Sequence, residues 1–138
     1  MKHAQFVTSA VKKVFLAGSG LIAAGIAVAI WTVPAAFYGS YGIDIGGDVN
    51  LINELKAPAG VLFVAGLAIL AGAFRARYTS MSMKVAAVLY LSFGVSRIVS
   101  FVVDGMPGEG IVSAALLEIL IGAIALIGLI AQQRKSAI

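Results

Sequence analysis

The sequence predicts an all-α, membrane-spanning four-helix antiparallel bundle with both termini cytoplasmic. Three observations carry that expectation. The 138 residues are 61% hydrophobic and only 12% charged, with a mean hydropathy of +1.04. A soluble domain this small buries only part of its surface and cannot hide so much apolar area. The apolar residues fall into four runs of about 20 residues, enough to cross a bilayer core of roughly 30 Å. Finally, the charges outside those runs are segregated by sign between alternate connections.

One domain over 1–138 is expected, with spans at approximately 14–34, 51–74, 85–103 and 111–131. A basic lead with Lys2 and His3 is closed by Lys12 and Lys13, and the first span stops at Pro34. A basic start before an apolar run is also the pattern of a signal peptide. This run exceeds the roughly 7–15 residues of such a segment, so an uncleaved first helix is expected. The Gly- and Tyr-containing stretch 36–49 is a loop, and its part 37–47 is either a flexible cover over the outer mouth of the bundle or an ordinary interfacial loop. Asp48 or Asn50 is the candidate N-cap of the second span. Within that span, Pro58 frees the carbonyl of Glu54 if the helix begins near Asn50.

Arg75, Arg77 and Lys84 bracket a short polar connection, and residues 104–110 form a tight turn before the last span. Such short connections make the second, third and fourth spans antiparallel neighbours. The small-residue pairs Gly20/Ala24, Ala23/Ala27 and Ala68/Gly72, with Gly122 and Gly128, read as places where helices approach closely.

Lys2, Lys12, Lys13, Arg75, Arg77, Lys84, Arg134 and Lys135 all fall on one side, and Asp44, Asp48, Asp104 and Glu109 on the other. The positive-inside rule makes the basic side, with both termini, cytoplasmic. It also argues against a dual-topology dimer, which needs balanced loops. Trp31, Phe37, Tyr38 and Tyr41 then lie at or beyond the outer interface, where aromatic rings are favoured. Because the net charge of +4 is explained by topology, no nucleic-acid partner is expected. With no cysteine and one histidine, thiolate zinc, iron–sulfur and bis-histidine haem sites are not expected. No metal and no cofactor is expected.

The candidate site is a set of charges inside apolar sequence. Glu54, Arg97 and Glu118 lie on three different spans, five to eight residues in from the outer surface. At about 1.5 Å per residue this places all three roughly 7–12 Å deep. Lys56 adds a cation near the same level, within snorkelling reach of the interface. On the third span Tyr90, Phe93, Arg97, Ser100, Phe101 and Asp104 recur at helical spacing and form one stripe. Asn53 stands beside the Glu54 face. An arginine fork accepts carboxylates from two sides, so a Glu54–Arg97–Glu118 cluster is expected, with Lys56, Asn53, Ser100 and Asp104 around it.

The runs Asn53-Glu54-Leu55-Lys56-Ala57-Pro58-Ala59-Gly60 and Gly94-Val95-Ser96-Arg97-Ile98-Val99-Ser100, then Asp104-Gly105 and Leu117-Glu118, carry a resemblance. The chain resembles a bacterial family of small four-helix membrane proteins catalogued as a domain of unknown function. In general organisation it is distantly similar to DoxX proteins. The resemblance covers nearly the whole chain. It implies the same fold and polar positions, with arginine often at the place of Lys56, and residence in the bacterial cytoplasmic (inner) membrane. It implies no established activity.

Three functions fit these residues. In the first, an outward-side pocket holds a small polar or amphipathic ligand or a lipid headgroup, with Arg97 meeting an anion and a glutamate meeting a donor or cation. In the second, the chain is an accessory or structural subunit of a larger membrane complex. The third is a membrane enzyme using the carboxylates as acid and base on a lipid-soluble substrate. Neither a nucleophile nor a phosphate loop accompanies the charges, so the third ranks last. Against all three stands an architectural role, in which the charges only fix helix register. Intramembrane ionisable residues more often mark pathways or ligand sites.

Overall fold

The computed structural model describes the backbone of residues 2–136 and the side chains of residues 9–134. The side chains of Lys2, His3 and Lys135 lie outside the described residues. Among the described residues there are five α-helices and no strand: α1 (Lys2–Thr32), α2 (Pro34–Gly39), α3 (Val49–Phe74), α4 (Thr79–Val103) and α5 (Glu109–Ser136). A 3-10 turn, Ala76–Tyr78, leads into α4.

Segments 9–32, 49–74, 76–103 and 109–134 are long and apolar enough to cross a membrane, and no more than 33% of any of them is buried inside the protein. The remaining apolar surface faces outward and requires lipid. The helices outrun the expected spans at several ends. Polar residues such as Lys12, Thr79 and Gln133 carry on the intrahelical hydrogen bonding where hydropathy has already fallen, because helix geometry does not require apolar side chains.

The ends of α3 show local sequence chemistry at work. Asp48 is the N-cap, its carboxylate accepting hydrogen bonds from the Asn50 nitrogen at 2.8 Å and the Leu51 nitrogen at 3.3 Å. These bonds satisfy donors that the first helical turn leaves unpaired. Pro58 lies inside the helix, so the Glu54 carbonyl receives no hydrogen bond from its nitrogen.

Helix α1 packs most extensively on α3, α4 packs on α5, and α3 meets α4. Glycines set the first two contacts. A side chain at Gly66 would start 2.7 Å from the Ala24 nitrogen and 3.0 Å from the Gly20 oxygen. On the other pair, one at Gly94 would start 3.1 Å from the Ile119 nitrogen, and one at Gly122 would start 2.9 Å from the Leu91 nitrogen. Backbone approach this close is what small residues permit between apolar helices. Polar ties reinforce the remaining contacts. Ser82 donates to the Ala68 carbonyl at 2.6 Å, and the Tyr90 hydroxyl donates to the Ser19 carbonyl of α1.

An even number of crossings returns both termini to one end, where Lys12 of α1 donates to Gln132 of α5 at 3.4 Å. Toward that end the core is filled, through Leu16, Ile69, Met83, Ala86, Ala125 and Leu129. Helix α5 has no extensive contact with α1 or α3, and at the other end the interior is a cavity.

Candidate functional site

Each helix presents one stripe to the cavity. Its volume is about 410 Å³, within the range of roughly 300–1,000 Å³ typical of small-molecule sites. Helix α1 contributes Ile22, Ile26 and Ile30, α3 contributes Leu55, Pro58 and Leu62, and α4 contributes Leu89, Tyr90 and Phe93. The wall is mainly aliphatic and aromatic. Its deep end, near Leu62 and Leu89, lies 13 to 14 residues in from the helix ends, about 20 Å along the axis.

The connection between α1 and α3 closes over the mouth. Pro34 starts the six-residue α2, a position suited to proline because the first helical turn has no use for its missing N–H. Phe37 and Tyr38 of α2 pack against Ala27, Ile30 and Ala59. Gly42 and Gly46 take φ of +75° and +56°, backbone that most side chains disfavour, and Asp44 accepts from the Gly46 nitrogen at 2.9 Å. These turns send Ile45 inward, where it is 4% exposed, and bring Tyr41 over the start of α5 beside Gly110. The connection therefore folds back over the cavity, with Tyr38, Tyr41 and Ile43 in its wall.

Among the described residues, Arg97 and Glu118 are the only charged ones in that wall. The Arg97 Nε donates to Glu118 Oε2 at 2.8 Å, and the two side chains are 35% and 15% exposed. Their meeting depends on Gly94. It sits one turn before Arg97 and lets α5 approach at Ile119, the neighbour of Glu118. The contact uses only one of the guanidinium's three nitrogens. Both Nη groups, and Oε1 of Glu118, make no hydrogen bond with any described residue. A monodentate pair therefore leaves unused donors and an acceptor on two neighbouring residues of the cavity wall.

The expected three-way cluster is a pair. Glu54 is exposed and makes no ion pair or hydrogen bond among the described residues. Depth placed it with the others, but azimuth separates them: at 3.6 residues per turn it lies about 100° around α3 from the cavity-lining Leu55. Lys56 is displaced by the same angle the other way. Its ammonium has no partner among the described residues, while its carbonyl accepts from Trp31 Nε1 at 3.2 Å. Asn53 is exposed and outside the cavity wall. Ser100 donates to Asp104 at 2.7 Å, and these two exposed residues satisfy each other rather than facing the cavity.

The sequence marks Tyr38 only as an interfacial aromatic, whereas the structure places it in the cavity wall. Its position is marked only by the glycine turns that fold the connection back. Burial pushes the Tyr38 phenol above the usual tyrosine range, and the nearby Arg97 charge partly offsets that rise. The hydroxyl stays neutral at physiological pH. Among the described residues no group of His, Asp or Glu is arranged to hold a metal ion.

A family model described as a domain of unknown function (DUF4345) matches residues 11–129. No curated protein and no solved structure matches the chain.

Proposed function

The chain belongs to the family of the domain of unknown function DUF4345, and on that premise we propose that it is a membrane binding protein. Its cavity takes a small amphipathic molecule whose polar head meets Arg97 and Glu118. The observation that carries this reading is the unfinished ion pair. An arginine retained purely for helix register has no need of an adjoining space, whereas this one lines a cavity of about 410 Å³ with two Nη groups that bond no described residue.

The head of the ligand sits at Arg97 and Glu118, and its apolar part extends along Phe93, Leu62 and Leu89. By the distribution of basic residues the termini face the cytoplasm and the capped mouth faces outward, in the cytoplasmic membrane of a bacterium. The test is equilibrium binding of total lipid extract from the host membrane to the purified protein. Arg97→Ala should abolish retention of a lipid that the wild type holds through purification. Unchanged retention in Arg97→Ala would exclude this site.

A further inference from the structure

The charges of the wall restrict what head the ligand can carry. Arg97 and Glu118 cancel, and among the described residues no third charged side chain lines the cavity. Lys56, the cation next along α3, is turned out of it. The other polar groups of the wall are the hydroxyls of Tyr38, Tyr41, Tyr90 and Ser113, of which Tyr90 is already committed to the Ser19 carbonyl. An anionic head would leave one uncompensated negative charge among apolar walls, and a cationic head one uncompensated positive charge. Burying a charge without a partner is strongly unfavourable. By contrast, an uncharged head with an acceptor beside a donor meets both free valences: acceptor to the Arg97 Nη groups, donor to Glu118 Oε1.

The volume sets a scale for the occupant: at roughly 30 Å³ for a water-sized group, 410 Å³ matches about a dozen heavy atoms. Resting on the amphiphile-binding reading above, we infer that the occupant is an uncharged, medium-chain amphiphile whose head presents an acceptor and a donor side by side, as a primary amide or a hydroxy-carbonyl group does.

Three probes separate the possibilities, because they match in length and differ in charge: decanamide, decanoate and decylammonium. Each is titrated onto the full chain in nanodiscs of zwitterionic lipid near pH 8, about where the carboxylate and the amine are both charged. Bound fractions are read by native mass spectrometry and corrected for partition into protein-free nanodiscs. Decanamide should bind at least about tenfold more tightly than either ion, a modest figure for one uncompensated buried charge. Tighter binding of decanoate or decylammonium overturns the uncharged-head inference while leaving amphiphile binding standing. If no probe binds better to the wild type than to Ala114→Phe, whose ring fills the cavity, amphiphile binding itself fails.

Charge-removing variants sharpen the result. Glu118→Gln leaves Arg97 uncompensated and should shift preference to decanoate. Arg97→Gln should shift it to decylammonium. Absence of both shifts, in variants with wild-type helical circular dichroism, overturns the inference.

Discussion

Replacing Gly66 by alanine tests how closely α1 and α3 approach. The added carbon would stand 2.7 Å from the Ala24 nitrogen, 3.0 Å from the Gly20 oxygen and 3.1 Å from the Ala24 Cα. Carbon contacts are comfortable at about 3.5–4.0 Å, so the helices must part by several tenths of an ångström. All three neighbours are backbone atoms, and no rotamer change relieves them. Overpacking of this kind costs about 1–3 kcal/mol, while removing a glycine from a helix interior returns roughly 0.5–1 kcal/mol. Gly25 supplies the control, since nothing lies within 4 Å of a side chain placed there and only the favourable part remains. Gly66→Ala should therefore be less stable than Gly25→Ala by about 2 kcal/mol. Reversible unfolding in mixed ionic and non-ionic micelles, followed by circular dichroism, measures both. Equal stability of the two variants would refute the close crossing of α1 on α3.

Arg97→Ala leaves the Glu118 carboxylate unpaired in an apolar wall and should cost about 1–3 kcal/mol in the same assay. The double variant Arg97→Leu, Glu118→Leu should recover most of that loss, because no orphan charge is left. Glu54→Gln, at an exposed and unpaired position, should change stability by no more than about 0.5 kcal/mol and leave ligand retention intact. The raised pKa of Tyr38 means that the unfolded chain gives up this proton at lower pH than the folded one. Its contribution to stability is thus complete below the ordinary tyrosine pKa and lost as pH rises through the folded value. Ultraviolet titration should show a late-ionising tyrosine component that is lost in Tyr38→Phe and moves further up in Arg97→Gln.

Much of this fold is legible in the sequence, because lipid demands a long apolar run for every crossing and short connections force antiparallel neighbours. The pairing of Arg97 with Glu118 is legible from depth, since two opposite charges within apolar helices have few other partners. Glu54 shows where that reasoning stops. Counting residues from a helix end fixes depth, but azimuth depends on which stripe of α3 meets α1, and the Gly66–Ala24 crossing decides that. Helical spacing alone groups Ser100 and Asp104 with Arg97, yet a local bond one turn apart occupies them. Six residues are too few to show a period, so α2 left no signal. Its position comes from Phe37 and Tyr38 finding the apolar surface at Ala27, Ile30 and Ala59.

A high-resolution structure of the protein taken directly from its own membrane tests ligand binding most directly. Elongated density should fill the space among α1, α3, α4 and α5, with its polar end within hydrogen-bond distance of the Arg97 Nη groups. A cavity closed by the protein's own side chains, with Arg97 and Glu118 paired through both Nη and Nε, would contradict it.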